Sequence, residues 1–204
     1  MITPTLLKQF PIISDQVDVR ELTAILNEFE RLLIQGKRGN IVELGCYVGT
    51  TSLFIRRLMN EYKARDEFHV YDSFEGLPEK TSQDMSVAGD QFVAGALHAS
   101  RRALLENFKK AHLDAPIVHK GWFSDLTLAD MPDGILFAFL DGDYYESIRD
   151  SLKLVEKKLL PGAIIIVDDY ASEALPGAAR AADEWAKRKG YRVQSMASLG
   201  IIRT

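Results

Sequence analysis

Short apolar runs alternate along this chain with longer stretches in which apolar residues recur at helical spacing. Apolar runs of four or five residues are typical of buried strands, and spacings of three and four residues are typical of helices that bury one face. The predicted strands cover residues 40–44, 68–71, 116–119, 136–140, 163–167, 191–195 and 199–203. The predicted helices cover residues 19–35, 50–62, 100–112, 146–160 and 178–189. Residues 1–17, which include two prolines, are predicted to be irregular.

This order of elements predicts a Rossmann-like α/β fold with a seven-stranded, mostly parallel sheet and helices on both faces. Strands joined by a helical crossover run in the same direction. The last two strands are joined by a short turn and are expected to form an antiparallel C-terminal hairpin. A chain of 204 residues fits one domain, residues 1–204, with an N-terminal helical segment at 1–39. The polar stretch at residues 80–99 has no clear period, and we interpret it as a lid.

Paired carboxylates follow the fourth and fifth predicted strands. Asp141 and Asp143 end the fourth strand, and Asp168 and Asp169 end the fifth. Parallel neighbouring strands bring these acids to one edge of the sheet, where open α/β sheets bind ligands. Acidic oxygens without a nearby His or Cys suit a hard divalent cation such as Mg²⁺. The alternative is that these aspartates only cap helices or form turns.

A glycine-containing loop joins the first strand to the next helix. Glu43 and Gly45 mark the strand end, and Gly49 and Thr50 mark the helix start, with Thr50 as the expected cap. This arrangement recurs in folds that bind nucleotide-like cofactors, and Asp72 after the second strand is placed to bind ribose hydroxyls. The dinucleotide pattern Gly-x-Gly-x-x-Gly is absent, which argues against NAD. The alternative is a tight strand-to-helix turn without a ligand.

Composition and charge give information about partners and cellular location. The net charge of −4 and the absence of a long apolar run give no indication of nucleic acid or membrane as a partner. Cys46 is the single cysteine, so no internal disulfide forms, and the first residues lack the features of a signal peptide. We therefore expect a cytoplasmic protein. His98 and His119 receive no assigned role.

Five motifs occur in one order along the chain. They are Glu43-x-Gly45, Asp-Ser-Phe-Glu-Gly-Leu-Pro at 72–78, Gly-Trp-Phe at 121–123, Leu-Asp-Gly-Asp-x-Tyr-Glu-Ser at 140–147 and Asp-Asp-Tyr at 168–170. From residue 40 onward the chain resembles the macrocin O-methyltransferase family, which methylates sugar hydroxyls of antibiotics and related metabolites. The resemblance implies a class I methyltransferase fold, S-adenosylmethionine as methyl donor and a divalent metal, usually Mg²⁺.

The resemblance also implies roles for individual residues. Asp143 is the expected general base, and the metal ligands are Asp141, Asp168 and Asp169. The residues assigned to the methyl donor are Glu43, Gly45, Cys46, Tyr47, Gly49, Thr50, Asp72, Ser73, Gly121, Trp122 and Asp141. Trp122 either stacks on the adenine or fills the core, and the sequence leaves both alternatives open.

The predicted reaction is methyl transfer to a hydroxyl of a small molecule, a sugar or a glycosylated metabolite. Two rival functions follow from the same residues. A nucleotide-sugar glycosyltransferase also holds a metal with Asp-x-Asp, although the glycine loop and the terminal hairpin disfavour it. The other rival is a non-catalytic cofactor-binding protein on the same fold. The assembly is left open between a monomer and a homodimer.

Overall fold

The computed structural model describes residues 1–204, which form one seven-stranded sheet with helices on both faces. The strands are β1 (Asn40–Leu44), β2 (Phe68–Asp72), β3 (Ile117–Lys120), β4 (Ile135–Leu140), β5 (Leu159–Val167), β6 (Val193–Met196) and β7 (Leu199–Arg203). Their order in the sheet is β3-β2-β1-β4-β5-β7-β6. Strands β1 to β5 are parallel, and β7 is antiparallel to both β5 and β6. The predicted fold class and terminal hairpin are therefore confirmed.

Six α-helices cover the sheet. They are α1 (Thr3–Gln9), α2 (Val19–Ile34), α3 (Thr50–Glu61), α4 (Arg101–Lys110), α5 (Tyr145–Val155) and α6 (Pro176–Lys189). Two short 3₁₀ turns lie at Val87–Gly89 and Phe123–Asp125. No helix is both long enough and apolar enough to span a lipid bilayer.

The two faces of the sheet carry separate hydrophobic cores. Side chains alternate along a strand, so Ile41 of β1 belongs to the core beneath α1 to α4, whereas Val42 belongs to the core beneath α5 and α6. Parallel strands buried on both faces are expected to be almost continuously apolar. Every residue of β4 is buried, as this rule requires. The acids Asp141 and Asp143 therefore follow β4 rather than lie within it.

The prediction of an irregular N-terminus is wrong, because α1 lies within residues 1–17. Pro4 sits in the first turn of this helix, where its missing N–H is tolerated. The buried carboxylate of Glu30 in α2 accepts hydrogen bonds from the Thr3 N–H and hydroxyl. This long-range anchor fixes a seven-residue helix that is too short to show a sequence period. The capping box of Asp18 and Glu21 at the start of α2 is present as predicted.

The predicted boundary between the fifth helix and the fifth strand is also wrong. The helix ends at Val155, and residues 159–162, predicted to end the helix and follow it, belong to β5. Leu159 pairs with Ile135, and the register between β4 and β5 then shifts before Ile164 pairs with Phe137. Proline and glycine at 161–162 fall at this irregularity, where a strand tolerates a missing N–H donor.

Candidate functional site

A cavity of about 410 Å³ opens at the carboxyl edge of the sheet, beside the ends of β1, β2, β4 and β5. Its walls contain twelve carboxylates and no lysine, arginine or histidine. The acids are Asp15, Asp18, Glu21, Asp72, Glu79, Asp84, Asp141, Asp143, Glu146, Asp150, Asp168 and Asp169. A cavity with this lining attracts cations and repels phosphates.

Three of these acids form a compact group. Carboxylate oxygens of Asp141, Asp143 and Asp169 lie within 4.8 Å of one another. Asp143 and Asp169 adopt left-handed backbone conformations, with φ of 59° and 55°, which are uncommon for residues other than glycine. The sharp turns after β4 and β5 therefore bring the two carboxylates toward each other.

Burial and mutual repulsion raise the pKa values of the three aspartates in the compact group. The pKa of Asp141 is raised well above its usual value by burial and then by Asp168, and the pKa of Asp143 is raised by burial and then by Asp169. Burial, followed by Glu21, raises the pKa of Asp169 to about 6. Oxygen ligands that lie close together without compensating charge fit a hard divalent cation. The donor set thus fits the Mg²⁺ that the sequence predicts.

The compact group differs from the predicted ligand set in one member. It contains Asp143, the expected base, and omits Asp168, an expected ligand. Asp168 lines the same cavity but is buried, and its Oδ1 accepts the Asp169 N–H at 3.0 Å. The assignment of ligands and base among these four acids therefore stays a prediction.

The glycine loop presses directly against the acidic turn after β4. Gly45 has φ of +91°, and a Cβ added there would lie 1.7 Å from the carbonyl oxygen of Asp141. Only glycine permits this approach, because a side chain would meet the neighbouring backbone. The N–H of Asp141 also donates to the carbonyl of Leu44 at 2.8 Å. The loop after β1 and the acids after β4 are thus in direct contact.

The carboxylate of Asp72 holds the glycine loop in place. Its Oδ2 accepts the N–H groups of Cys46 at 2.9 Å and Tyr47 at 3.2 Å, and its Oδ1 accepts the N–H of Phe74 at 2.7 Å. The carbonyl of Asp72 accepts the N–H of Gly121 at 3.0 Å. The glycine loop, the turn after β2 and the segment that begins at Gly121 are therefore tied to the end of β2.

Most residues predicted to bind the methyl donor line this cavity. Those that do are Gly45, Cys46, Tyr47, Asp72, Ser73, Gly121, Trp122 and Asp141. Glu43, Gly49 and Thr50 are not among the lining residues. Gly49 rather than Thr50 occupies the cap position of α3, so the predicted Thr50 cap is wrong. The Thr50 hydroxyl donates instead to Ser14 at 2.9 Å.

Glu43 points away from the cavity into the core beneath α3. It is 1% exposed, and its Oε2 accepts the Ser52 hydroxyl at 2.5 Å. Burial is the main cause that raises the pKa of Glu43 to about 8, with a smaller contribution from Asp72. The raised pKa favours the protonated form of the carboxyl, which lowers the cost of burying it.

Sequence reasoning missed one wall of the cavity. Asp15, Gln16, Asp18 and Glu21 from the N-terminal segment line it. The sequence identified Asp18 and Glu21 only as a capping box, and that motif carries no signal of a second contact. The two unassigned histidines lie elsewhere: His98 is exposed, and neither it nor His119 lines the cavity.

His119 has a partner that the sequence does not reveal. Its Nε2 lies 3.0 Å from Nδ1 of His69 in the adjacent strand, and its ring stacks on Tyr71 at 4.3 Å between centroids. Burial, followed by the charge of His69, lowers the pKa of His119. These contacts give the histidine a structural environment outside the cavity.

Comparison with known sequences gives one family. The model of the family described as Macrocin-O-methyltransferase (TylF) matches residues 15–197. A tetracenomycin-glycoside 4'-O-methyltransferase of Streptomyces olivaceus is 35% identical over 152 residues, 71% of this chain and 58% of that protein. Mycinamicin III 3''-O-methyltransferase of Micromonospora griseorubida is 28% identical over 183 residues, 85% of this chain and 70% of that protein. The chain thus spans less than two thirds of the length of the first relative.

Comparison with solved structures gives the same fold. The O-methyltransferase NovP superposes with a TM-score of 0.79 at 25% identity, over 92% of this chain and 80% of that chain. The calicheamicin methyltransferase CalS11 superposes with a TM-score of 0.75 at 18% identity, over 98% of this chain and 89% of that chain. The seven-stranded sheet with its terminal antiparallel pair is therefore shared with solved O-methyltransferases.

Proposed function

Because this chain belongs to the macrocin O-methyltransferase family, we propose that it transfers a methyl group from S-adenosylmethionine to a hydroxyl of a sugar or glycosylated small molecule. The observation that carries the proposal is one cavity walled both by the glycine loop and by the acidic turns after β4 and β5. A methyl donor beside the loop and a hydroxyl beside the acids would lie next to each other. Such proximity is a large part of catalysis in a two-substrate reaction.

The four aspartates at the strand ends have two different roles in this proposal. Asp141, Asp168 and Asp169 would hold Mg²⁺, which when bound lowers the pKa of a hydroxyl and orients its oxygen. Asp143 lines the same cavity and accepts the hydroxyl proton as general base. Neither Asp141 nor Asp143 has a hydrogen-bond donor that lowers its pKa, so their oxygens are available to ligand and substrate.

The charge of the cavity limits the chemical classes of acceptor that it can bind. Because its walls contain twelve carboxylates and no basic side chain, a phosphate group would find no cationic side chain there and would be repelled by the carboxylates. We therefore favour a neutral or cationic glycoside over a nucleotide-linked sugar. Repulsion of phosphate also disfavours the rival glycosyltransferase, whose donor carries a diphosphate.

A single set of assays tests the proposed function. Purified protein is incubated with labelled S-adenosylmethionine and Mg²⁺ against a panel of neutral glycosides, amino-sugar glycosides and nucleotide sugars. Label transfer to a phosphate-free glycoside is the expected result. Calorimetry with S-adenosylhomocysteine and with UDP runs in parallel: binding of UDP alone would favour the glycosyltransferase. Binding of S-adenosylhomocysteine without turnover on any acceptor would favour a non-catalytic protein.

Three further properties belong to the proposal. We expect the chain to act as a single domain with residues 80–99 as its lid, to reside in the cytoplasm, and to have neither nucleic acid nor membrane as partner. Assembly as a monomer or homodimer is resolved by light scattering on the purified protein.

A further inference from the structure

We propose that Asp84 is a positioning residue that caps α5 from a distant part of the chain and thereby holds Asp143 and the 80–99 segment in their working arrangement. The inference rests on the proposed function for its kinetic consequence only. Its structural content, a cap supplied across 61 residues of sequence, stands without any assumption about the reaction.

Helix α5 begins without a cap of its own. Its N-cap residue is Tyr144, whose side chain makes no capping hydrogen bond. The first N–H groups of a helix have no partner within the helix and need an acceptor from elsewhere. The N–H of Tyr145 donates to Oδ1 of Asp84 at 2.6 Å. Asp84 thus supplies an acceptor to the first N–H of the helix, whereas an ordinary N-cap side chain accepts from the second or third helical residue.

The carboxylate of Asp84 is fully enclosed at this point. Asp84 is 0% exposed, and its Oδ2 accepts the Thr81 N–H at 3.0 Å and the Thr81 hydroxyl at 2.6 Å. No salt bridge compensates its charge within the chain. The Tyr145 N–H, at the positive end of the α5 dipole, and the two Thr81 donors together stabilise this buried carboxylate.

A third element, α6, contacts this carboxylate through a glycine. Gly177, in the first turn of α6, would carry a Cβ 1.9 Å from Oδ1 of Asp84 and 2.6 Å from the N of Tyr145. Its φ is not in the left-handed region, so the requirement for glycine comes from the contact alone. The 80–99 segment, the start of α5 and the start of α6 thus converge on one side chain.

The capped residue, Tyr145, lies two residues after the proposed base, Asp143. Asp143 is held at φ of 59°, a conformation that persists only where its surroundings enforce it. On one side Tyr145 is fixed by Asp84, and next to it the Tyr144 hydroxyl donates to the carbonyl of Phe92 in the same 80–99 segment. Loss of the cap would release the turn that aims Asp143. The contacts of Asp72 with the glycine loop would remain.

The chain contains a matched control for this residue. Asp130 closes the same local turn, accepting the Thr127 N–H and hydroxyl, both at 2.8 Å. Asp130 is exposed and does not line the cavity. An Asp130→Ala variant therefore loses the same local hydrogen bonds as Asp84→Ala without loss of a helix cap.

The test compares Asp84→Ala, Asp84→Asn, Gly177→Ala and Asp130→Ala with the unmodified protein by amide hydrogen exchange. Loss of a cap is expected to accelerate exchange in the first turn of α5 by about fivefold in Asp84→Ala. Gly177→Ala should accelerate exchange there at least as much, because its methyl group would displace both the Asp84 carboxylate and the backbone of Tyr145. Asp84→Asn should show a smaller effect, because its amide oxygen still accepts one bond. Exchange in α5 that is unchanged in Asp84→Ala, or equally accelerated in Asp130→Ala, would overturn the proposal.

Kinetics provide the second readout. We expect kcat to fall between about tenfold and a hundredfold in Asp84→Ala, as for a misplaced catalytic group. Affinity for S-adenosylhomocysteine, measured by calorimetry, should change by less than about threefold, since the glycine loop keeps its own contacts. Equal losses in kcat and in this affinity would mean general unfolding and would contradict a positioning role. If the unmodified protein shows no turnover, the proposed function fails, and hydrogen exchange alone decides the cap.

Discussion

At the scale of single residues, the position of an acid in the sequence and the direction of its side chain are separate questions. The four aspartates after β4 and β5 could be placed at one sheet edge from the pattern alone, because strand direction follows from the crossovers. Glu43 lies within β1, one residue before the strand end. Alternation along the strand puts it on the same face as Ile41, toward α3. The family motif suggested a ligand, whereas the structure gives Glu43 a buried partner in Ser52.

Glu43→Gln tests the protonation state of this carboxyl. Its pKa rises from 4.5 to about 8 on folding, so the folded state binds the proton more tightly than the unfolded state. The stability that this proton contributes is complete below pH 4.5 and is lost as pH rises toward 8. Glutamine is neutral throughout this range. The Tm of the variant minus the Tm of the unmodified protein should therefore increase as pH rises from about 5 to about 8. A difference that stays constant with pH would contradict a buried neutral acid.

Asp143→Asn tests the assigned base. An amide cannot take up the hydroxyl proton, and loss of a general base typically lowers kcat by about 10²- to 10⁴-fold. Affinity for S-adenosylhomocysteine should be nearly unchanged, because the glycine loop lies on a different strand. Single-turnover rates with an accepted glycoside measure the effect. An unchanged rate would remove Asp143 as base and leave it as a candidate metal ligand, a role that its place in the compact group allows.

At the scale of elements, sequence periodicity located the helices and strands but misplaced some of their ends. Leu159 and Leu160 continue the helical spacing of α5, yet they belong to β5, because pairing with β4 outweighs local periodicity there. Helix α1 was missed for a related reason. Its anchor, Glu30, lies 27 residues away from Thr3, and contacts over such distances leave no local trace in the sequence.

Gly45→Ala tests the contact between the glycine loop and the acidic turn. The added methyl group would lie 1.7 Å from the Asp141 carbonyl, so we expect a loss of about 3 kcal/mol or more in the free energy of unfolding. Gly36→Ala is the control: Gly36 also has a positive φ, of +69°, but nothing lies within 4 Å of its added Cβ. Its cost should be about 1 kcal/mol. Urea denaturation of both variants measures the difference, and equal losses would mean that backbone conformation alone requires glycine at Gly45.

At the scale of the whole molecule, the sheet and its functional edge were predictable, whereas the full outline of the cavity was not. The parallel direction of β1 to β5 follows from the helical crossovers that join them. The wall formed by Asp15, Gln16, Asp18 and Glu21 depends on how the N-terminal segment packs across the sheet edge. Burial is the main cause that raises the pKa values of Asp168 and Asp169, and Glu21 adds to both. Such tertiary contacts between distant segments have no signature in the spacing of residues.

Metal removal tests the acidic site as a unit. We expect EDTA to abolish methyl transfer and added Mg²⁺ to restore it, because without a cation the grouped carboxylates repel one another and no Lewis acid activates the hydroxyl. Calorimetry with Mn²⁺ should give one site in the unmodified protein and none in Asp141→Ala. Full activity in EDTA, for the unmodified protein or for Asp141→Ala, would refute a metal-dependent reaction.

The acidic lining has a consequence for how a catalytic cycle ends. In the proposed reaction, the positively charged sulfonium of the methyl donor becomes a neutral thioether on transfer. The surrounding carboxylates therefore attract the incoming compound more strongly than the spent one. The spent molecule differs from its precursor by one methyl group and one unit of charge. The cavity thus has an electrostatic means of exchanging used donor for fresh donor, and self-inhibition by the by-product should weaken accordingly.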